Sequence, residues 1–521
     1  MIKFDCALAR ITFLSLVLVV GSPVARIGHA SAEDLSVPVS TESGLIAGYT
    51  ENGLHIFKGI PYAASPTGEL RWRAPKPAAG WQGVRRATTF APLCFQKVPA
   101  APGTVERHLG ESEDCLYLNI WSGAKTSDDK LPVMVWIHGG GHNFGGTSVP
   151  IYDGAELAHK GVVVVTIAYR LGVLGFLALP ELTQEAPYHA SSNYGTLDQI
   201  AALKWIQTNI AKFGGDPNNV TIFGESAGSG AVNILQASPL AKGLFVRAIG
   251  ESTSQMDPFA GMLGRQSLKQ AEARGLEFAK SVGSQSLKQL RSLSAESLVS
   301  KAGFYWPIEN DGYVLPGEVY DLFAQGRASK IPVLVGANAD EGAVLKRHWI
   351  NPASDEEKRR FDAIWGRTSD PQRAADTDEV LWQMWSWIDL NYKAAPKQHS
   401  YFYWFSQFPP PGANRSSAGM TYPDGPVHAA EIVYVFNNLN LRRVAWTEGD
   451  RRVADLMSSY WTNFAKTGDP NGPGLPRWPA YDPTRPQALH FNNGASEIEL
   501  PHRDALEFID SRNAARREQR P

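Results

Sequence analysis

The sequence predicts an α/β fold with a large, mostly parallel central sheet flanked by helices, organised as one domain. Two observations lead there. Short β-branched apolar runs alternate with stretches of helical periodicity, and several runs are apolar without interruption, as strands covered on both faces must be. The chain has 521 residues, longer than an average domain. No repeat or low-complexity linker divides it, so the length does not by itself require a second domain.

The first element is not part of that fold. Lys3 and Arg10 precede the apolar run Ile11 to Val20, and Ala30-Ser31-Ala32 follows it. A basic start, a short apolar stretch and a small-x-small site make a secretory signal peptide over residues 1–32, with the mature chain at 33–521. An uncleaved anchor is the competing reading, although the run is short for a bilayer. Cys6 precedes the apolar run, so a lipoprotein fits poorly. The expectation is an exported protein, periplasmic or extracellular, with no stable membrane span once the signal is removed.

In the mature chain, "LPVMVWIHGGG" contains a strand, Val133 to Ile137, that ends in glycines. "GVVVVTIAYR" is a second strand. "GTLDQIAALKWIQTNIAKFGG" places Leu197, Ile200, Ala201, Leu203, Ile206 and Ile210 at helical spacing, with Gly214 as its stop. "NVTIFGESAG" reads as strand Val220–Phe223, a turn, and a helix from Ala227. "IPVLVGANADEG" and "SYFYWFS" supply later strands. The stretches around 260–300 and 355–400 are mainly helical and are expected to be insertions over the sheet and its active site.

The composition is that of an ordinary globular protein, 43% hydrophobic with a formal net charge of -2. Nothing in it points to nucleic acid or an anionic surface as partner. After signal removal two cysteines remain, Cys94 and Cys115. In an oxidising compartment they most simply pair, with two buried free thiols as the alternative. No neighbouring histidine or cysteine completes a metal set.

The chemistry concentrates where strands are expected to end. Ligands of a parallel sheet gather at its carboxyl edge, and Ser226 sits there in G-x-S-x-G between strand and helix. Gly224 and Gly228 permit a sharp turn that exposes the hydroxyl, although the same small residues suit any tight turn. His138-Gly139-Gly140-Gly141 follows the strand 133–137. Its unobstructed N–H groups suit a developing oxyanion, while a plain flexible loop or a phosphate cradle are weaker readings. A serine nucleophile needs a base and an orienting carboxylate. Asp340 and Glu341 follow the strand 332–337, and His428 precedes the apolar run in "GPVHAAEIVYVF". Taken alone, each is more often a surface-loop residue. The order Ser, acid, His is that of an α/β-hydrolase.

"FGGDPNNVTIFGESAGS" (213–229) resembles the serine signature of the type-B carboxylesterase family, and "EDCLYLNIW" (113–121) resembles its second signature. "FKGIPYA", "WIHGGG", "ADEG" and "HAAEIVYVF" fall in family order, and the resemblance runs from about residue 36 to the end. It implies a carboxylic ester hydrolase working through an acyl-serine, with a small-molecule ester as substrate and no metal or organic cofactor. By motif, Ser226 matches the nucleophile, Glu341 the acid and His428 the base. Gly140, Gly141 and Ala227 match the oxyanion hole, and Cys94 and Cys115 the family's first disulfide. Asp340 falls one position before the family's glutamate. Glu225 would add negative potential beside the imidazolium, or serve only structure.

Some positions depart from the cholinesterase branch. The loop 94–115 has no tryptophan, and His142 stands where phenylalanine is common. His142 is read as a pocket residue or a solvated loop histidine. Lys301 and Gly303 fall where bulky acyl-pocket residues are expected, which suggests a wider acyl site. The aromatic runs 304–306, 382–387 and 401–405 could feed a pocket for bulky or aromatic esters or pack the core. An amidase or peptidase using the same residues, and a non-catalytic adhesion domain of the same fold, are the rival readings.

Overall fold

The computed structural model describes residues 35–97, 109–257, 266–303, 306–346, 348, 350–413 and 423–519. The expected signal peptide and two residues of the aromatic run 304–306, Phe304 and Tyr305, lie outside the described residues.

The central sheet has eleven strands: β1 (Tyr49–Glu51), β2 (Leu54–Pro61), β3 (Tyr117–Ser122), β4 (Leu131–Ile137), β5 (Val163–Ile167), β6 (Gly215–Glu225), β7 (Arg247–Glu251), β8 (Val333–Asn338), β9 (Tyr401–Phe405), β10 (Gln487–Phe491) and β11 (Ala495–Glu499). Their spatial order is β11-β10-β9-β8-β7-β6-β4-β5-β3-β2-β1. From β5 across to β10 every neighbouring pair is parallel, while the outer strands pair antiparallel. β4 has β5 on one side and β6 on the other, so the chain changes direction across the sheet at β4. That switch point leaves a crevice outside the carboxyl ends of β4 and β6.

The sheet divides the core in two. Along β4, Val133, Val135 and Ile137 join one apolar cluster, whereas Met134 and Trp136 join the other. β5 and β6 split the same way. Alternation between two covered faces explains why these strands read as unbroken apolar runs. Beneath the crevice Trp136 packs on Phe223 and Phe436, with ring centroids 4.9 and 5.0 Å apart.

Helix α1 (Tyr194–Asn209) continues into one 3-10 turn, Ile210–Phe213, and stops at Gly214, which is left-handed with φ 79°. The expected strand Val220–Phe223 is longer, because residues from Gly215 also pair with β4 across a register shift. The serine is followed by α2 (Ala227–Ala237). The helical stretches resolve into α3 (Leu268–Ser281), α4 (Leu287–Ser292), α5 (Ala295–Lys301), α6 (Asp355–Trp365) and α7 (Pro371–Ala394). In the aromatic runs, Trp382, Trp387, Trp306 and every residue of Tyr401–Phe405 are buried in the core. Trp385 is half-buried and donates to the Tyr481 hydroxyl at 3.0 Å. Cys94 and Cys115 are joined by a disulfide, with Cα atoms 5.0 Å apart.

Candidate active site

Ser226 lies immediately past β6 with φ 56° and ψ −127°, a strained conformation for a residue with a side chain. The flanking glycines are fixed by close approach. A Cβ on Gly228 would sit 2.0 Å from the Ile137 carbonyl oxygen, and one on Gly224 would sit 2.6 Å from the same atom. The turn is therefore pressed against the end of β4, and the serine hydroxyl is pushed out at the N-terminus of α2.

The glycine loop leaves β4 beside it. Gly140 and Gly141 have φ of 105° and 63°, values glycine reaches without penalty. The Gly140 carbonyl accepts from the N–H groups of Asn143 (3.0 Å) and Phe144 (3.2 Å), which curls the loop. The amides of Gly140, Gly141 and Ala227 have no acceptor among the described residues.

Glu341 follows β8, and His428 lies in the loop before the helical turn Ile432–Val435. Glu341 is fully buried. Its Oε1 accepts from the Asn338 N–H at 2.8 Å, and its Oε2 lies 2.6 Å from His428 Nδ1. His428 Nε2 lies 2.8 Å from Ser226 Oγ. A carboxylate at Nδ1 selects the tautomer that carries its proton there, leaving Nε2 to accept from the serine. The two loops are stitched together: Asp340 N–H donates to the Pro426 carbonyl, and Asn338 Nδ2 donates to the Val427 carbonyl at 2.8 Å. Asp340 turns the other way and accepts from Arg373 Nε and Nη2, one on each carboxylate oxygen. Thr377 Oγ1 receives the Gly342 N–H at 2.9 Å, so α7 seats the whole acidic turn.

Electrostatics set this corner apart. Glu225 Oε1 stands 3.3 Å from His428 Nε2, and both side chains are buried. Burial pulls the imidazole down, but the Glu225 and Glu341 carboxylates outweigh it and hold His428 up at about 9. Burial pushes Glu225 up to about 8 and Glu431 up to about 7. Glu431 accepts from Ser252 Oγ and Asn338 Nδ2, and Glu251 accepts from Trp461 Nε1 at 2.8 Å. No sequence motif points to Glu431, Glu251 or Asn338 as members of this corner. Of the three, Glu431, three residues past His428 inside "HAAEIVYVF", carries the available signal.

His142 is not a solvated histidine. It is 6% exposed, with its ring beside Phe176 (5.5 Å) and Tyr169 (6.3 Å), and burial pushes it down to about 3. His138 stacks on Tyr169 at 4.5 Å. Lys301 and Gly303 are exposed at and just past the end of α5.

A parallel sheet of this order, with a strained serine turn after β6 and loops from β8 and beyond converging on it, defines an α/β-hydrolase. The carboxylesterase family model matches residues 35–387 and 380–508, and the chain belongs to that family. It is 38% identical over 486 residues to a fumonisin B1 esterase of Sphingopyxis macrogoltabida, covering 87% of this chain and 86% of the relative. To the para-nitrobenzyl esterase of Bacillus subtilis it is 37% identical over 479 residues, covering 85% and 92%. A solved carboxylesterase of Geobacillus stearothermophilus superposes with a TM-score of 0.77 at 34% identity, covering 90% of this chain and 99% of the other. The protein is a carboxylic ester hydrolase.

Proposed function

We propose that the protein is an exported serine carboxylesterase in which Ser226 attacks the ester carbonyl, His428 is the base and Glu341 orients it. The observation that carries this reading is the unbroken chain of contacts from Ser226 Oγ through His428 to Glu341, at 2.8 and 2.6 Å. Nε2 takes the serine proton as Oγ bonds to the carbonyl carbon. The oxyanion that forms meets the amides of Gly140, Gly141 and Ala227, whose lack of an acceptor among the described residues supports this role, with the N-terminus of α2 adding favourable potential. Collapse breaks the ester C–O bond, and the imidazolium gives its proton to the departing alcohol. Water then attacks the acyl-serine with the same histidine as base. Glu225 stabilises the imidazolium that forms in each half.

The substrates in this reading are bulky or aromatic carboxylic esters, supported by the likeness to a para-nitrobenzyl esterase. Export is supported by the N-terminal pattern and by the disulfide. No helix among the described residues is long and apolar enough to cross a membrane. The mature chain, 33–521, is read as one hydrolase domain, in keeping with the single compact unit formed by Leu35–Pro521.

The test is a hydrolysis panel of short-acyl, long-acyl, aryl and amide substrates, run beside Ser226→Ala. Aryl and bulky esters should turn over, with the variant down by about 10⁴-fold or more. Undiminished turnover by the variant would remove Ser226 from the mechanism, and cleavage of amides in preference to esters would move the substrate class.

A further inference from the structure

A loop of glycines that must present amides to a transition state has a problem of its own making. Gly140, Gly141 and Gly145 all have positive φ, and a segment this free in the unfolded chain needs contacts from outside to hold one conformation. Part of the order is internal. A Cβ on Gly145 would lie 2.4 Å from His138 Nδ1 and 2.8 Å from the Gly139 carbonyl oxygen, so the loop closes on its own start.

The rest comes from Gln96. Its Oε1 accepts from the Gly145 N–H at 2.8 Å, and its Nε2 donates to the Gly145 carbonyl at 2.9 Å. One side-chain amide thus pairs with both backbone groups of one loop residue, as a neighbouring strand would. The same Nε2 also donates to the Cys94 carbonyl at 3.0 Å. Gln96 is 6% exposed, so these bonds are shielded from water and a lost partner would not be replaced cheaply. Next to the clip, Leu93 Cδ2 fills the space 2.3 Å from where a Cβ on Gly146 would stand. The segment carrying Gln96 is itself anchored two residues earlier, at the disulfide from Cys94 to Cys115. Cys115 lies just before β3.

We infer that Gln96 is a positioning residue for ester hydrolysis: it transmits the fixed position of the Cys94–Cys115 disulfide to the glycine loop and thereby aims the amides of Gly140 and Gly141. The inference rests on the reading that those amides receive the oxyanion. It gives the disulfide a part in the rate as well as in stability, because the clip and the covalent anchor act in series. The amides are needed fully only when the carbonyl oxygen becomes an anion, so loosening the clip should lower kcat and leave KM nearly unchanged.

The experiment compares Gln96→Leu, Gln96→Glu, the Cys94→Ala/Cys115→Ala pair and the combination of Gln96→Leu with that pair. Each is assayed on an aryl ester well below its Tm. Gln96→Leu should lose about 10- to 100-fold in kcat and the same factor in affinity for a trifluoromethyl ketone, which binds as a tetrahedral adduct. Gln96→Glu still accepts from the Gly145 N–H but cannot donate, and should fall between wild type and Gln96→Leu. It also keeps the test alive if the leucine variant does not fold. The cysteine pair should lower kcat, and the combination should fall short of the product of the two separate losses. A Gln96→Leu protein with a lowered Tm but unchanged kcat and ketone affinity would make the residue structural only. Fully multiplicative losses would cut the disulfide out of the linkage. Either result with an inactive Ser226→Ala overturns this inference alone, whereas an active Ser226→Ala overturns the reading of the site beneath it.

Discussion

The two walls of the site are held by opposite means. On the glycine side, β4 and β6 end so close together that no side chain fits between them, and the order comes from backbone contact, a glutamine clip and a disulfide. On the histidine side, Glu341, Glu225, Glu431 and His428 are buried together, and the order comes from hydrogen bonds and charge at low dielectric. The first wall is sensitive to volume and almost indifferent to pH. The second is sensitive to proton count, because each of these four side chains is both buried and titratable.

Breaking the glycine wall should have the larger effect. Gly228→Ala would put a methyl group 2.0 Å from the Ile137 carbonyl oxygen, a backbone atom with a core strand behind it. Overpacking of this kind costs about 1–3 kcal/mol, and any relief displaces Ser226. A lowered Tm and at least about a 100-fold loss of kcat/KM are expected. A variant with wild-type Tm and rate would show that the turn is not pressed against β4.

Changing one charge on the other wall should leave the fold intact and move the pH profile. In the proposed mechanism His428 takes the serine proton only when neutral, and its neighbours hold its own proton up to about 9. Activity therefore rises with pH, with its half-point above the ordinary histidine value of about 6.5. Glu225→Gln keeps the size and removes a negative charge 3.3 Å from Nε2. The imidazolium is then less favoured, so the half-point of kcat/KM against pH should move down. An unmoved half-point would mean that Glu225 carries no charge that the base feels.

The same division decided what the sequence could reveal. β4, β5 and the core of β6 were readable because strands covered on both faces must be apolar throughout, and Ser226 because a crowded turn admits only glycine at positions 224 and 228. The outer strands β1, β10 and β11 are short or partly exposed and leave no such run. The start of β6 at Gly215 depends on pairing with Leu131, which local pattern does not encode. Glu431 and Glu251 look like surface residues by type, and only the packing of Trp461 and Asn338 around them accounts for their burial. Trp382 and Trp387 could as well have faced a pocket, and only the packing of α7 against the sheet puts them in the core. Gln96 is the least visible of all, since Gly145 lies 49 residues away and all three of its side-chain bonds are to backbone.

The most direct measurement is to trap the enzyme with an aryl fluorophosphonate and locate the adduct by peptide mass spectrometry. One equivalent bound through the Ser226 oxygen, absent in His428→Ala on the same timescale, is the predicted result. Adduct on another residue, or none while ester hydrolysis continues in its presence, would contradict the account.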